Sequence, residues 1–482
     1  MAFVGHVNGL VGGHGSHGNV PAGSSCQRQS VVRCTPRTSR TVYMTVSKDA
    51  VAVPTNTHAP AAVQPGESHL AHADAYKFED FDQYVMNTYV RFKIAITKGA
   101  GCKLYDSTGK EYLDLVAGIA TCTLGHGDAR LAKTVQEVMS NVHHVSNLFY
   151  IPPQGELAKK LAQRSIADRV FFCNSGAEAN EAAIKLTRKY FFAKPENDGK
   201  VPVIITANQS FHGRTLATVT ATGQAKYQKN FTPLVQGFEY CNYNDVEGLK
   251  AVVEKLKNSS THKLAGIMME ALQGEGGVVP ATYPFLRTAR NLCDDNDALL
   301  IFDEVQVGVG RTGSLWGYEQ SGVLPDVFTV AKGLAGGVPI GAMLCREKCN
   351  VFKPGEHAST FGGNFLATSC GLTVFNALFE GNVLENVKQR GAQLKAGLLE
   401  LQAKYPSVVE ECRGMGLIQG VQLKSSAGFT SIDIVGKAIE KGVLFVPAGP
   451  SVLRMVPPLV ISAAEIAQGL STLDAVFAEL SK

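Results

Sequence analysis

The chain has 482 residues, of which 45% are hydrophobic and 18% are charged, and its formal net charge is +4. This composition is typical of a globular protein with enough apolar material for a large core, and the length suggests two or three domains. The excess positive charge lies in the first 48 residues, which contain arginines but no acid, so the rest of the chain is close to neutral. A near-neutral body gives no support to nucleic-acid binding, and no apolar run approaches the ~20 residues of a membrane-spanning helix.

The N-terminal region is predicted to be a targeting segment. Residues 1–48 are rich in glycine and serine, contain arginines and lack acids, which is the composition of an organellar transit peptide. The glycine-rich, weakly amphipathic start favours the plastid stroma, with the mitochondrial matrix as the alternative; a disordered tail without a targeting role is the simpler interpretation. Residues 49–77 contain an Ala/Pro-rich stretch that predicts a flexible linker, so folding is predicted to begin near Phe78.

The eleven cysteines are scattered along the chain and form no Cys-x-x-Cys motif. The closest pair is Cys345 and Cys349. This distribution indicates reduced thiols in an intracellular protein rather than a disulfide framework or a zinc site. We therefore predict no metal centre.

Short apolar runs alternate with helix-like segments between residues 165 and 345. The predicted strands are residues 169–173, 201–206, 265–269, 298–302, 327–331 and 340–345. Apolar strands separated by helices indicate an α/β domain with a mostly parallel sheet that is buried on both faces. In such domains ligands bind where strand ends meet loops. The functional residues are therefore expected at those ends.

The pattern changes near residue 376 and predicts a second, smaller α+β domain over 376–482. Its predicted helices are 373–384, 387–405 and 462–480, and its predicted strands are 416–423 and 443–446. Residues 78–120 are predicted to pack with this domain, since 103–106 and 111–115 resemble a hairpin. Residues 121–375 would then form the large domain.

Polar residues follow three of the predicted strands. A turn at Asn174-Ser175-Gly176 begins a helix, whose free N–H groups and positive dipole end form an anion site. Ser175 would add a hydroxyl, although a plain helix-capping role is the simpler interpretation of this residue. Four apolar residues place Asp303 at another strand end. A carboxylate beside an apolar sheet needs a partner. A structural role for Asp303 as the cap of the next helix is the alternative interpretation.

Lys332 follows the strand at 327–331 and precedes a glycine-rich run. A lysine at such a position is either a surface residue at a turn or a buried amine whose lowered pKa makes it a nucleophile. An anion site, a buried acid and a lysine match the phosphate, ring nitrogen and aldehyde of pyridoxal phosphate. Each signal alone is weak, but together they predict a pyridoxal-phosphate site.

Four motifs in this order resemble the class III pyridoxal-phosphate aminotransferases of fold type I. They are Asn-Ser-Gly-Ala-Glu-Ala-Asn-Glu at 174–181, Ser-Phe-His-Gly-Arg-Thr at 210–215, Phe-Asp-Glu-Val-Gln at 302–306 and Lys-Gly at 332–333. The resemblance extends from about residue 80 to the C-terminus. Within the class, the segments 87–89, 124–127, 144–148 and 453–459 are most similar to the acetylornithine aminotransferase family. This resemblance implies a large domain with a mostly parallel sheet, and a small domain formed by the N- and C-terminal segments.

The resemblance also implies a role for each cofactor-binding residue. Lys332 would bind the cofactor covalently and act as the catalytic base and acid, Asp303 would keep the pyridine nitrogen protonated, and Gln306 would contact the ring hydroxyl. Phe211 would stack on the ring, and the phosphate would be bound by Ser175, Gly176 and Ala177. Thr360 would reach the phosphate of a neighbouring subunit, which implies a homodimer with shared sites.

The implied reaction moves the δ-amino group of N-acetylornithine to 2-oxoglutarate in two half-reactions, giving glutamate, as a step of arginine synthesis. Both substrates carry carboxylates, which arginine binds through two parallel hydrogen bonds. Arg214 and Arg454 are the candidates, Glu275 would pair with Arg454 when the donor is bound, and Tyr89 would contact the donor's α-carboxylate. A structural ion pair is the alternative role for each arginine.

Alternative functions share parts of this pattern. The segment 308–313 fits the dinucleotide pattern G-x-G-x-x-G, but the residues that follow it resemble a loop, which argues against a dehydrogenase. Ornithine aminotransferase and 4-aminobutyrate aminotransferase share nearly every cofactor residue and remain the nearest alternatives. Two further alternatives are an aminomutase of the same class and a non-enzymatic binding protein.

Overall fold

The structure is a computed structural model, and it describes residues 77–482. The predicted transit peptide at 1–48, and the predicted linker at 49–77 except for Lys77, lie outside the described residues. The boundaries proposed for the domains stay a prediction.

The elements alternate along much of the chain. In order, the strands are β1 (Ile96–Ala100), β2 (Lys103–Asp106), β3 (Glu111–Asp114), β4 (Arg169–Cys173), β5 (Val201–Ala207), β6 (Phe238–Cys241), β7 (His262–Glu270), β8 (Leu272–Gln273), β9 (Val279–Pro280), β10 (Leu299–Asp303), β11 (Val327–Val330), β12 (Gly341–Cys345), β13 (Val409–Met415), β14 (Ile418–Leu423), β15 (Val443–Leu444), β16 (Val446–Pro447) and β17 (Val452–Met455). The helices are α1 (Phe78–Tyr84), α2 (Ala117–Ala120), α3 (Ala129–Met139), α4 (Pro152–Gln163), α5 (Gly176–Phe192), α6 (Leu216–Ala221), α7 (Ala225–Gln228), α8 (Val246–Lys257), α9 (Tyr283–Asp295), α10 (Phe365–Glu380), α11 (Val383–Lys404), α12 (Ser431–Glu440) and α13 (Ala463–Leu480).

A seven-stranded sheet organises the larger part of the described chain, with strand order β4-β12-β11-β10-β7-β5-β6. Its neighbours pair in parallel except at β12, which is antiparallel to both β4 and β11. The mostly parallel α/β sheet predicted from the sequence is therefore confirmed. Strand β6 was missed, because its burial is only partial and its sequence, Phe-Glu-Tyr-Cys, mixes polar and aromatic residues.

Both faces of this sheet are buried. In β10, Leu300 and Phe302 pack into one apolar cluster, while Leu299 and Ile301 pack into another on the opposite side. Side chains of α8 and α9 join the first cluster, and side chains of α5 join the second. Each such fully buried side chain stabilises the fold by roughly 1.5–3 kcal/mol relative to exposure. The continuous apolar strands seen in the sequence follow from this double burial.

Besides the two-stranded pair β8-β9, two four-stranded sheets complete the fold of the described residues. The predicted hairpin is present as β2 and β3, and β3 pairs in parallel with β15, so Leu113 lies opposite Val443. The N-terminal segment thus shares a sheet with the C-terminal part of the chain. The other sheet, β13-β14-β17-β16, is antiparallel and carries Arg454 on β17.

The predicted helix at 373–384 is wrong at its end. Helix α10 ends at Glu380, Gly381 follows it, and Asn382 has a φ of +51° before α11 begins. Asparagine and glycine tolerate the left-handed region that ends a helix, whereas apolar periodicity alone runs through the break. Among the described helices, none combines the length and the apolarity needed to cross a membrane.

Candidate active site

The carboxyl ends of the central strands and the first turn of α5 enclose a cavity of about 360 Å³. Eight of the predicted site residues line it, namely Ser175, Gly176, Ala177, Phe211, Arg214, Asp303, Gln306 and Lys332. They come from separate parts of the chain, so their proximity is a property of the fold. The arrangement agrees with the rule that ligands bind at strand ends in parallel sheets.

Asp303 is held at the cavity wall by three donors. Its Oδ2 accepts hydrogen bonds from Asn180 Nδ2 and His212 Nδ1, both 2.8 Å long, and its Oδ1 accepts from the backbone N–H of Val305 at 3.0 Å. Thr329 donates to Asn180 Oδ1 at 2.6 Å, which orients the amide so that its nitrogen faces the acid. The carboxylate is 4% exposed and keeps its position without an arginine or lysine partner among the described residues.

Asn180 and His212 were not assigned roles from the sequence, although both lie within the motifs that carry the resemblance. Asn180 follows Gly176 by four residues on α5, and that spacing places both on one helix face. Burial lowers the pKa of His212, but its hydrogen bond to Asp303 and the charge of that acid raise the pKa above its ordinary value. A positively charged imidazole beside Asp303 stabilises the ionised carboxylate.

Lys332 follows β11 and lines the cavity. Within residues 77–482 no carboxylate lies within ion-pairing distance of its amine. Burial, with a contribution from the positive charge of Arg454, lowers the pKa of Lys332 to about 8. Its φ of +43° lies in the left-handed region, which costs a residue with a side chain of the order of 1–3 kcal/mol. The fold therefore holds the backbone of Lys332 in a strained conformation and brings the pKa of its amine closer to neutral pH.

The first turn of α5 forms the predicted anion site. Ser175 caps the helix, because its Oγ accepts from the N–H of Glu178 and donates to the carboxylate of Glu178. The N–H groups of Gly176 and Ala177 have no carbonyl partner inside the helix and face the cavity. A side chain at Gly176 would put its Cβ 2.7 Å from Val305 Cγ1, so glycine is needed for this close approach. The hydroxyl of Ser175 is thus engaged in capping, and its contact with a phosphate stays a prediction.

The predicted substrate acid and arginine are paired. Arg454 is 1% exposed, its Nη2 contacts Glu275 Oε2 at 3.1 Å, and its Nη1 donates to Gln306 Oε1 at 2.9 Å. Tyr227, which was not predicted, donates to Glu275 Oε1 at 3.2 Å. The Arg454 side chain therefore links the C-terminal sheet to the residue predicted to contact the cofactor ring.

Arg214 lies at the cavity mouth without an acid partner among the described residues. Its guanidinium stacks 4.0 Å from the centroid of the Tyr227 ring and 5.3 Å from that of Phe211. Gly213, with a φ of +139°, allows this segment to pass close to α5, because a Cβ there would lie 2.8 Å from that of Ala177. An exposed, unpaired arginine on an aromatic support is suited to an anionic ligand.

Four predicted residues are absent from the cavity wall. Two of them, Glu275 and Arg454, form the pair that adjoins Gln306, and the other two are exposed. Tyr89 is 70% exposed in the segment after α1, and Thr360 lies exposed on the loop before α10. The role of Thr360 was predicted for a neighbouring subunit, so a single chain does not test it. The roles of both residues stay predictions.

The residues of the cavity fit pyridoxal phosphate. The start of α5 offers free N–H groups to a phosphate, Asp303 offers a carboxylate to a ring nitrogen, and Lys332 offers an amine to an aldehyde. Phe211 lines the cavity and contacts the Tyr227 ring edge to face, so it offers an apolar surface on which a cofactor ring can pack. No further polar group has to be added to satisfy the three ends of this cofactor.

Residues 84–477 match the family described as aminotransferase class-III. The chain belongs to the class-III aminotransferases. It is 57% identical over 411 residues to the acetylornithine aminotransferase of Synechocystis sp., covering 85% of this chain and 95% of that protein. It is 54% identical over 420 residues to the acetylornithine aminotransferase of Nostoc sp., covering 87% of this chain and 98% of the relative.

Solved structures of class-III aminotransferases share the fold. The ornithine aminotransferase of Toxoplasma gondii superposes with a TM-score of 0.79 at 32% identity, covering 83% of this chain and 94% of that one. The N-acetylornithine aminotransferase of Stenotrophomonas maltophilia superposes with a TM-score of 0.72 at 37% identity, covering 84% and 99%. The predicted class and its fold type are confirmed, and class-III aminotransferases use pyridoxal phosphate as their cofactor.

The dinucleotide-like segment of this class-III aminotransferase is a loop. Residues 308–313 follow β10 after a turn and lead into further turns, with no long helix behind them. The rejection of a dehydrogenase from the sequence is therefore confirmed. Arg311 of this loop is buried and donates to the carbonyls of Leu417 and Pro457, so the loop serves as a contact to the C-terminal part of the chain.

Proposed function

We propose that this class-III aminotransferase moves the δ-amino group of N2-acetylornithine to 2-oxoglutarate, giving N-acetylglutamate 5-semialdehyde and glutamate, and so acts in arginine biosynthesis. The observation that carries the proposal is the ion pair between Arg454 and Glu275, set beside the unpaired Arg214. The donor has one carboxylate and the acceptor has two. Arg214 is free to bind a carboxylate of either substrate. Arg454 is neutralised by Glu275 when the donor is bound and is released to bind the second carboxylate of the acceptor.

Acetylornithine aminotransferases of cyanobacteria are more similar to this chain than the solved ornithine aminotransferase is, with identities of 57% and 54% against 32%. Free ornithine would bring a second, positively charged amine to a cavity that is lined by Arg214 and that Arg454 adjoins through Gln306. An acetylated amine carries no charge and avoids that repulsion. These points favour N-acetylornithine over ornithine as the donor.

The cofactor supplies an aldehyde for the substrate amine and a protonated ring that withdraws electrons from the reacting carbon. The work of the protein is to hold and move protons. Lys332 Nζ, with its lowered pKa, takes the proton from the carbon that bears the donor's amine and returns one later. Asp303, supported by His212 and Asn180, keeps the ring nitrogen protonated. Gln306 retains a free amide N–H₂ for the ring hydroxyl, because only its oxygen is used by Arg454.

A substrate panel tests the proposed donor. The holoenzyme is given 2-oxoglutarate with N-acetylornithine, ornithine, 4-aminobutyrate or N-succinylornithine, and glutamate formation is measured. We expect kcat/KM for N-acetylornithine to exceed that for ornithine by at least about 100-fold, because a buried second charge costs several kcal/mol. A preference for ornithine would overturn the proposed donor and leave the reaction class intact.

Borohydride reduction tests the cofactor site independently of the donor. The reagent fixes pyridoxal phosphate to the amine that binds it, and peptide mapping then locates the label. We expect the label on the peptide that contains Lys332 and its complete loss in Lys332→Ala. A label on another lysine in the unaltered protein would contradict the assignment.

We also propose a homodimer with shared active sites. Thr360 lies on a surface with large exposed apolar side chains, since Leu148, Tyr150 and Phe361 are 89%, 102% and 59% exposed. Asn147 joins the two segments of this surface, because its Nδ2 donates to the carbonyls of Ser359 and Gly362. Large exposed apolar side chains on two linked segments are typical of a protein interface.

Mixed dimers test the shared site. Lys332→Ala and Thr360→Glu are each expected to be inactive, the second because a carboxylate would face the cofactor phosphate. Subunits of both variants are unfolded together and refolded, so that one site of each mixed dimer combines two unaltered residues. Recovered activity near a quarter of the wild-type level is expected, and absence of recovery in a mixture that light scattering shows to be dimeric would exclude sharing.

The location proposed for the protein is the plastid stroma, with residues 1–48 as the transit peptide. The composition of this segment and the similarity of the chain to cyanobacterial proteins support the proposal. A fusion of residues 1–77 to a fluorescent protein should enter plastids, and the same fusion without residues 1–48 should remain outside. Import of the fusion into mitochondria would contradict the plastid location and support the mitochondrial matrix instead.

A further inference from the structure

Glu270 is a buried acid of the cavity wall that the proposed chemistry leaves without a role. It is the last residue of β7, lies opposite Asp303 in the strand register, and is 6% exposed. A carboxylate in such a place is costly unless hydrogen bonds satisfy its oxygens. Both oxygens are satisfied, but by two different segments of the chain.

The two partners of Glu270 belong to the segments that recognise substrate. Oε2 accepts from the backbone N–H of Phe211 at 3.1 Å, and Oε1 accepts from the backbone N–H of Gly274 at 3.3 Å. The first segment continues to Arg214, and the second continues to Glu275, the partner of Arg454. One carboxylate therefore joins the segment that leads to Arg214 with the segment that leads to Glu275.

We infer that Glu270 is a positioning residue that holds the segments of Arg214 and Glu275 at the separation needed to bind a dicarboxylate. The inference rests on the proposed transamination, since it concerns how the amino acceptor is recognised. Gln273 supplies a second tether, because its Nε2 donates to the carbonyl of Asn208 at 3.0 Å, but Glu270 is the tether inside the cavity.

The chemistry of the side chain explains why an acid is used. Two backbone N–H groups need two acceptor oxygens, and an ionised carboxylate has both. A glutamine of the same shape has one oxygen, and its N–H₂ group would face an N–H donor. An aspartate keeps both oxygens but is one methylene shorter, so it cannot reach both segments. Glu270→Gln and Glu270→Asp therefore remove the same link in different ways.

The charge state of Glu270 supplies an additional readout. Burial raises the pKa of Glu270 to about 7, with His212 lowering it and Asp303 raising it. The titratable and charged groups that face it are His212, Tyr243, Asp303, Lys332 and Arg454. A protonated carboxyl group has one good acceptor instead of two, so the link weakens as pH falls through about 7.

The experiment measures binding of glutarate, an unreactive dicarboxylate, to the holoenzyme by calorimetry between pH 6 and pH 9. At pH 8 we expect Glu270→Gln to raise both the Kd for glutarate and the KM for the amino acceptor by about tenfold, with kcat changed less than about threefold, since a lost hydrogen bond to a charged group has this effect. The wild-type Kd should rise below pH 7, whereas the variant should show no such rise. The absorbance of the bound cofactor should not change.

Controls separate the possible outcomes. Glu239→Gln makes the same change at a surface acid and should leave Kd and KM unaltered. Glu270→Asp should raise Kd as Glu270→Gln does, and it covers the case in which the first variant loses its cofactor. An unchanged Kd in both variants would overturn the inference, and so would a fall in kcat at constant Kd, which would make Glu270 a proton-transfer group. Glutarate binding does not depend on the donor, so the inference stands or falls separately from the proposed use of N-acetylornithine.

Discussion

Asp303 and His212 share a hydrogen bond of 2.8 Å between the carboxylate Oδ2 and the imidazole Nδ1, and their side chains are 4% and 0% exposed. The His212 side chain comes from the segment after β5, while Asp303 ends β10. The pair therefore links two distant segments at the point where a cofactor ring nitrogen would bind. Asn180 and the backbone N–H of Val305 donate the other hydrogen bonds that hold the acid in place.

Replacing His212 should weaken the hold of the cavity on its cofactor. His212→Gln removes a charged donor to Asp303, which costs about 1.5–3 kcal/mol. We expect kcat to fall and the cofactor Kd to rise, each by roughly 10- to 100-fold. Cofactor titration by absorbance and steady-state rates measure the effect. His262→Gln, at an exposed histidine, is the matched control, and equal behaviour of the two variants would contradict the role of the pair.

The lowered pKa of Lys332 predicts a pH-dependent gain of stability when the lysine is removed. The folded pKa of about 8 lies below the ordinary value of 10.5, so the folded protein loses its proton first. The penalty of burying the charge is fully present below pH 8, declines between pH 8 and 10.5, and is absent above that range. It amounts to at most roughly 3 kcal/mol.

Urea unfolding of the cofactor-free protein measures this effect. Lys332→Met should unfold at a higher urea concentration than the wild type at pH 7, and the difference should disappear as pH rises toward 10.5. Lys159→Met replaces an exposed lysine and should show no such trend. A difference that stays constant with pH would mean that the pKa of Lys332 is the same in the folded and in the unfolded protein.

Glu275 competes with a substrate carboxylate for Arg454. In Glu275→Gln no acid neutralises Arg454, so we expect the KM for the amino acceptor to fall by about three- to tenfold. The kcat/KM for N-acetylornithine should fall, because the unpaired charge of Arg454 then faces an uncharged part of this donor. Separate measurement of the two half-reactions checks both changes. Glu411→Gln, which removes an exposed acid paired with Arg413, should change neither half-reaction.

Arg311 should matter for stability rather than for chemistry. It is buried, and its Nη1 donates to the carbonyls of Leu417 and Pro457 at 3.0 and 2.5 Å. Arg311→Met leaves both carbonyls without this donor, which costs about 2–4 kcal/mol and lowers Tm by roughly 5–10 °C. Hydrogen exchange should become faster around 417–423 and 455–459. An unchanged Tm with unchanged exchange would show that other donors replace the guanidinium.

The sequence was sufficient for the sheet and for the chemical character of the site. The six predicted strands of the central sheet match observed strands to within about three residues at each end, because strands buried on both faces are continuous apolar runs that stand out along the chain. Lys332, Asp303 and the start of α5 could be grouped for a similar reason. Parallel strands that alternate with helices bring their carboxyl ends to one edge, whatever the details of packing.

The tertiary structure alone decided which polar groups support those residues. Asn180 and His212 are distant along the chain from Asp303, and Glu270 is distant from Phe211. No periodicity connects a hydrogen-bond donor on α5 or after β5 with an acid on β7 or β10. The pairing of Arg454 with Glu275 and the unpaired state of Arg214 within the described chain likewise depend on how the C-terminal sheet packs against the strand ends. Local sequence determines which backbone conformation and which functional groups are present, whereas hydrogen bonds between distant segments exist only once burial has brought them together and removed the water that would otherwise satisfy them.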